Sequence, residues 1–489
     1  MKVVYISPEV VPFAKTGGLA DIAGAIPKYL QRLGIEMTVI MPFYNIIKKS
    51  QYHLTKTDIR FDVKIGDNHK SGNVYKGLLP DSTVPVYFLD NEQYYGRNGF
   101  YNHPGTTKDY EDNSERFIFL CQGALEVIEK LNICPDIIHC NDWQTGLVSV
   151  YLKTTYAKKE CFRNTKTIMT IHNIAYQGLF WHWDMKLTGL DWSLFNWKQL
   201  EFYGKLNFLK GGLVFSDFIT TVSKTYAKEI QTSEYGEGLD GVLRDRAEDL
   251  YGIINGIDYS IWNPETDKFI IANYGINNLA GKQVCKRALQ KKLNFPERNI
   301  PVVGMITRLT DQKGLDLIVN RFQDLMKTDI QFVLLGTGEK RYHELFKTYA
   351  KTFPKKVAVK LNFDERSAHE IEAGSDIFLM PSRFEPCGLN QLYSLKYGTV
   401  PVVRCTGGLA DTITDVRSEP ILNGRYNGFS FKEYNSDLLL ATIIRAIDLY
   451  KSKDQWTRLM TNGMSQDWSW ERSAREYITL YETIVRRNI

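Results

Sequence analysis

Short apolar runs rich in β-branched residues recur along the chain, and stretches with apolar positions every three or four residues lie between them. Residues 3–7 are the first run, residues 22–33 carry the helical spacing, and residues 37–41 are the second run. Continuous apolar runs buried on both faces and separated by helices predict a parallel α/β sheet. Further strands are predicted at residues 84–89, 136–140, 167–171 and 218–222. Several runs end in small or polar residues: Asn141-Asp142-Trp143, His172-Asn173 and Ser223-Lys224. In an open parallel sheet, such strand ends line the ligand crevice.

The pattern is interrupted over residues 255–300, where Asn255-Gly256-Ile257-Asp258 and Trp262-Asn263-Pro264 are rich in turn formers. It then restarts, with strands expected at 302–306, 331–335, 357–361, 377–380 and 400–403 and helices beginning at 314 and 390. Two α/β domains are therefore expected, residues 1–260 and 261–465. Residues 466–489 are read as an amphipathic helix rich in Arg and Tyr, a candidate to pack back on the N-terminal domain. A length of 489 residues fits this division, because one hydrophobic core rarely serves so long a chain.

Composition narrows the class. Hydrophobic residues make up 43% and charged residues 24%, ordinary for a globular protein and incompatible with a disordered or fibrous chain. The net charge of +5 is small and scattered, so no nucleic-acid surface is expected. No apolar stretch reaches the roughly 18–20 residues that span a bilayer, so no membrane partner is expected, and the N-terminus reads as a strand rather than a signal peptide. Seven cysteines without a CxxC pair and eight histidines without HExxH fit a reducing, cytoplasmic setting and no metal site.

One hexapeptide occurs twice. Thr16-Gly17-Gly18-Leu19-Ala20-Asp21 returns as Thr406-Gly407-Gly408-Leu409-Ala410-Asp411, each copy after a predicted strand and at the start of a predicted helix. Such a loop lets backbone N–H groups approach an anion at the positive end of a helix, and Lys15 adds a charge beside the first copy. Read alone, each loop serves equally as a tight strand–helix turn. Neither copy is GxGxxG or GxxxxGK[ST], which removes the best support for dinucleotide binding and P-loop chemistry. Arg308 and Lys313 bracket a loop at the end of the 302–306 strand, and two cations there suit a diphosphate or an ordinary solvated loop. Glu385, in Ser382-Arg383-Phe384-Glu385-Pro386-Cys387-Gly388-Leu389, is a carboxylate in a Pro/Gly-shaped turn, able to bind hydroxyls or to act as a surface group. Cys387 reads as a packed thiol. His172 ends an apolar strand as a ligand contact or a structural histidine. Asp142-Trp143 pairs a carboxylate with an aromatic plane, a surface on which sugar faces pack and also a common core element.

Together, Lys15 to Asp21, the Arg308 to Lys313 loop, and Ser382 to Leu389 with Thr406-Gly407-Gly408 resemble bacterial glycogen synthases and plant starch synthases. The likeness runs from residue 2 to about residue 480. It implies an α/β fold of two facing Rossmann-like domains (GT-B type) with the active site in the interdomain cleft. It also implies glucosyl transfer from ADP-glucose to the non-reducing end of an α-1,4-glucan such as glycogen, with retention of configuration and no cofactor or metal. By the same resemblance, Lys15, Gly17 and Gly18 lie near the donor's phosphates and sugar, and Arg308 and Lys313 neutralise the diphosphate. Thr406, Gly407 and Gly408 add backbone donors, and Glu385 with the backbone of Cys387, Gly388 and Leu389 holds glucose hydroxyls. His172 sits at the glucose 6-hydroxyl and reacting face, Asn255 bonds the sugar, and Asp21, Asp142 and Trp143 serve the acceptor side.

One departure stands out: where the family often stacks Tyr on the base, this chain has Phe363, which keeps the face and loses the hydroxyl. A related transferase using UDP-glucose or another acceptor is the alternative. The segment 181–197, with Trp181, Trp183, Trp192 and Trp197, reads equally as a glucan-contacting flap or a packed insertion.

Overall fold

The computed structural model describes residues 1–106, 108–362, 364–416 and 425–487. The chain divides into an N-terminal unit (Met1–Val222, Ala227–Ile253 and the chain from Trp470 on) and a C-terminal unit (Ser223–Tyr226 and Ile254–Ser469). Both are α/β units with parallel sheets.

The N-terminal unit contains β1 (Lys2–Ile6), β2 (Glu36–Pro42), β3 (Thr55–Ile65), β4 (Asn68–Leu78), β5 (Pro85–Asp90), β6 (Ile137–Asn141), β7 (Lys166–Ile171), β8 (Leu179–Trp181), β9 (Glu201–Phe202), β10 (Lys205–Asn207), β11 (Phe218–Thr221) and β12 (Leu250–Gly252). Nine of these form one sheet in the order β12-β11-β7-β6-β1-β2-β5-β4-β3. It is parallel from β12 to β5 and antiparallel through β4 and β3. Central β1 pairs on both edges, Val3 facing Met37 and Ile137, and Val3, Val4, Tyr5 and Ile6 are all buried. This two-sided burial is why the central strands read as unbroken apolar runs. The chain first extends the sheet on the β2 side and then returns to the β6 side, so the strand order reverses between β1 and β6. The crevice outside the carboxyl ends at such a reversal is the usual ligand position.

The helix Trp470–Arg486 turns Trp470, Ala474, Tyr477, Tyr481 and Ile484 inward at helical spacing and packs on the helix Gly18–Arg32. Tyr481 Oη lies 2.7 Å from His139 Nδ1 in β6, and His139 Nε2 lies 2.6 Å from Thr170 Oγ1 in β7.

The C-terminal unit holds β13 (Val302–Ile306), β14 (Gln331–Leu335), β15 (Val357–Lys360), β16 (Ile377–Met380), β17 (Val400–Arg404) and β18 (Phe429–Phe431). All are parallel, in the order β15-β14-β13-β16-β17-β18, so the reversal falls between β13 and β16. Val303, Met305, Phe332, Leu334, Leu379 and Val402 form its core with Phe322 and Phe346 from the covering helices. Residues 254–260 group with this unit because buried Ile257 packs among Phe378, Leu395 and Trp468, and its N–H donates to Trp468 O at 2.8 Å. No helix among the described residues is long and apolar enough to cross a membrane.

Candidate active site

Candidate residues gather at the strand-order reversal of each sheet. In the C-terminal unit, the loops after β13 and β16 enclose a hollow of about 190 Å3. Arg308, Lys313, Ser382, Glu385, Gly388 and Leu389 all line it. Lys313 Nζ donates to Glu385 Oε2 at 2.5 Å, and Ser382 Oγ donates to the same oxygen at 2.9 Å. Glu385 is 7% exposed, so this carboxylate is largely withdrawn from water and held by both partners. Arg308 is exposed at the rim, and its guanidinium has no ion pair with a described residue. The hollow thus carries a neutralised pair at its floor and an uncompensated cation at its edge.

The loop bearing Glu385 is fixed from behind. Gly408 N–H donates to the carbonyls of Glu385 and Pro386, both at 3.1 Å. A Cβ at Gly408 would overlap Cys387 O, and one at Gly407, which has φ 45°, would overlap Glu385 O. The repeated glycines are therefore required here by close backbone approach. The Gly408 N–H is spent inside the protein, so this residue shapes the site rather than lending a free donor. Arg404, at the end of β17, donates to Ser382 O at 2.9 Å and to Arg383 O. Cys387 is buried and its thiol is pushed up to about 12 by burial, an inert packed group. Asn255 is 3% exposed, interacts with Cys387, and leaves its Oδ1 without a hydrogen-bond partner among the described residues.

In the N-terminal unit, Asp142 and Trp143 follow β6, and His172 follows β7. Asp142 has φ 55° and ψ −178°, a costly conformation for a residue with a side chain. Its Oδ1 accepts the His172 N–H at 2.8 Å, joining the two strand ends. Burial raises its carboxyl to about 7 against these backbone donors. Asn141 Nδ2 donates to Ile6 O at 3.0 Å, which orients the amide, so Oδ1 accepts from Tyr5 Oη and His172 Nε2, both at 2.9 Å. His172 then carries its proton on Nε2, and Nδ1 is left as a buried acceptor with no partner among the described residues. Burial depresses its pKa to about 3, so the ring is neutral at ordinary pH.

Lys15, Thr16, Gly17 and Gly18 form an exposed loop leading into the helix Gly18–Arg32, and a Cβ at either glycine would meet nothing within 4 Å. Lys15 Nζ pairs with Asp21 Oδ1 at 2.7 Å, within the same motif. The loop is anchored by Glu9, 3% exposed, which accepts from Thr16 N, from Thr16 Oγ1 at 2.5 Å and from Tyr101 Oη at 2.6 Å. The Tyr101 ring lies 6.3 Å from that of Trp143, so the loop and the Asp142 turn share a support. The second copy of the motif uses its acid differently. Asp411 accepts from Ser223 Oγ at 2.7 Å, Lys224 N at 2.6 Å and Thr225 Oγ1 at 2.6 Å, at the start of the helix Lys224–Glu229.

Glu9, Tyr101 and Arg404 escape a reading of motifs, and Asn141, Ser382 and Asp411 lie inside the quoted motifs with no role read for them. Only Glu9, an acid between Pro8 and Pro12 just after β1, carries a local signal. Phe363 lies outside the described residues. Among those described, no group of three or more His, Cys, Asp or Glu is placed to hold a metal ion.

Comparison with known proteins places these features in a family. Residues 2–245 match the model of the starch synthase catalytic domain, and residues 286–460 that of the glycosyl transferases group 1. The chain is 49% identical to the glycogen synthase of Thermosipho melanesiensis over the full length of both. It is 47% identical to that of Thermotoga maritima, over 99% of this chain and 98% of that one. The catalytic domain of starch synthase IV from Arabidopsis thaliana, solved with ADP and acarbose, superposes with a TM-score of 0.88 at 34% identity, covering 99% of each chain. Sucrose-phosphate synthase from Thermosynechococcus elongatus shares the fold, with a TM-score of 0.59 at 15% identity over 99% of each chain.

Proposed function

This chain belongs to the glycogen synthase and starch synthase family of glycosyltransferases, and we propose that it transfers glucose from ADP-glucose to the non-reducing end of an α-1,4-glucan with retention of configuration. Membership makes it a glucosyltransferase; the donor base, the acceptor and the residue roles are our reading. The observation that carries it is the hollow between β13 and β16, where Arg308, Lys313 and Glu385 meet at the sheet's ligand-binding edge.

A departing nucleoside diphosphate gains negative charge as the glycosidic bond breaks. Cations placed against it therefore stabilise the transition state more than the bound substrate. Arg308 is free to take a phosphate, and Lys313 exchanges Glu385 for the diphosphate when donor enters. Glu385 then accepts sugar hydroxyls, beside the backbone of Cys387, Gly388 and Leu389. The unpartnered acceptors His172 Nδ1 and Asn255 Oδ1 suit sugar hydroxyls, and a neutral His172 avoids placing a cation near an oxocarbenium-like carbon. Lys15 and the open Gly17-Gly18 loop offer a further cation and helix N-terminal N–H groups to the donor. Thr406, Gly407 and Gly408 shape the Glu385 loop, and Asp21, Asp142 and Trp143 serve the acceptor side. The glucan 4-hydroxyl attacks on the face that the diphosphate leaves. The new C–O bond forms as the old one breaks, and a phosphate oxygen of the leaving group accepts the hydroxyl proton. The seven cysteines are all free thiols, which suits a reducing cytoplasm.

Initial rates of nucleoside diphosphate release with ADP-glucose and with UDP-glucose, each with and without glycogen, test this reading. Glycogen-dependent release of ADP is the expected outcome. Faster release of UDP would replace the donor, and release indifferent to glycogen would replace the acceptor.

A further inference from the structure

The loops that enter β6 and β7 run side by side. Thr165 Oγ1 donates to Pro135 O at 2.7 Å, and Lys166 N–H donates to Asp136 O at 2.9 Å. These bonds set the stretch before β6 beside the single turn Glu160–Phe162 that precedes β7. Two cysteines come together there. The Cys161 thiol lies against Cys134, in contact with both its thiol and its backbone N–H. Neither residue belongs to a motif or to the proposed chemistry.

Both are held in place by their neighbours. Phe162, next to Cys161, is buried, and its ring stands 6.0 Å from that of Tyr156. Cys134 Sγ donates to Asn132 Oδ1 at 3.5 Å. Cys134 also has φ 43°, in the left-handed region that is costly for a residue with a Cβ. The residue is exposed, so no burial of the side chain offsets that cost. Glycine would make the same turn without strain, and packing does not account for a thiol here. Cys121, Cys140, Cys285 and Cys387 are buried, out of reach of a dissolved reagent. Exposure and adjacency together single out Cys134 and Cys161.

We propose that Cys134 and Cys161 form a redox modification site, which a low-molecular-weight disulfide converts to an intramolecular Cys134–Cys161 bond. Burial, and after it the neighbouring Cys134 thiol, push Cys161 up to about 11. The exposed Cys134 therefore reacts first. It loses its proton to solvent, and its thiolate attacks one sulfur of the reagent. A bond forms between Cys134 and that sulfur, the reagent's own S–S bond breaks, and one small thiolate leaves. Cys161 then loses its proton, attacks the Cys134 sulfur and expels the second small thiolate. Two protein thiols are oxidised by two electrons, and one reagent disulfide is reduced to two thiols. The new bond closes residues 134–161 into a loop and ties the amino ends of β6 and β7, whose carboxyl ends lead to Asp142 and His172. It stabilises the fold by restricting the unfolded chain, and excess small thiol reverses it.

The test equilibrates the full-length protein in oxidised and reduced glutathione, quenches by alkylation and reads the digest by mass spectrometry. Oxidised glutathione should give a peptide linked from 134 to 161 and remove two of the seven thiols; reduced glutathione should restore them. Cys161→Ser should instead retain glutathione on Cys134, and Cys134→Ser should leave Cys161 as a thiol. Urea unfolding of the linked protein should show a higher midpoint, with the unfolding constant about 30-fold lower or more at a given urea concentration. Both variants should lack that shift. Two free thiols at 134 and 161 in oxidised glutathione, or glutathione left on Cys134 of the wild type without closure, overturns the proposal. A covalent dimer through Cys134 also overturns it, assigning the thiol to contact between copies of the chain. An unmoved midpoint in the linked protein refutes the bracing of β6 and β7.

Discussion

Glu9 shows how one side chain can govern a motif it does not belong to. Its carboxylate takes three donors, two from Thr16 and one from Tyr101, and so holds the Lys15–Gly18 loop against the support of Trp143. Glu9→Ala leaves three donors without their acceptor, which costs about 2–3 kcal/mol in urea unfolding, and the loosened loop lowers kcat/KM about tenfold or more. Retained activity with lowered stability would make Glu9 structural only. Asp142 tests the electrostatics of the same region. Its folded pKa, about 7, lies above the unfolded value of 3.8. Its contribution to stability is thus complete below about pH 4 and lost as pH rises through 7. Asp142→Asn keeps the acceptor for His172 N–H and removes the titration. The variant should gain on the wild type by about 1.4 kcal/mol for each pH unit between those values. Urea unfolding at pH 4.5 and pH 7 measures the difference, and a gap that ignores pH would contradict the assignment.

At the scale of elements, legibility followed burial. Strands covered on both faces, such as β1, β13 and β16, announce themselves as unbroken apolar runs. The hairpin of β3 and β4 does not: Phe61, Val63 and Ile65 are buried while Arg60, Asp62 and Lys64, alternating with them, face outward, a period of two that a search for apolar runs passes over. The short strands β8, β9 and β10 fall below any periodic signal. Motif spacing singled out Arg308, Lys313 and Glu385, and the structure brings them to one hollow because loops after adjacent parallel strands meet. It could not reveal that the two copies of the hexapeptide act differently. Gly17 and Gly18 are open to solvent, whereas Gly407 and Gly408 are pressed on the Glu385 loop, and only tertiary contact separates them. The last helix, legible as amphipathic, is locked by Tyr481 to His139 inside the sheet. Tyr481→Phe leaves a buried ring nitrogen unpaired and should cost about 1–3 kcal/mol by urea unfolding. Unaltered stability would mean that apolar packing alone seats the helix.

Over the whole molecule, each of the two large sheets reverses its strand order beside its first strand, and candidate residues lie in the loops at that reversal or one strand from it. The N-terminal sheet offers an open helix N-terminus with a neutral histidine. The C-terminal sheet offers two cations and a carboxylate in one hollow. This division follows from connectivity: loops after β1 and β6, and after β13 and β16, are the ones that a parallel fold brings side by side. The proposed chemistry depends on the charge in the second set. Its most direct test is kcat/KM for ADP release with glycogen in Arg308→Ala and Lys313→Ala, each checked for intact folding by its unfolding curve. A fall of about 30- to 1,000-fold is expected in each, equivalent to roughly 2–4 kcal/mol of transition-state stabilisation; values within about threefold of the wild type in both would rule out charge stabilisation by this pair.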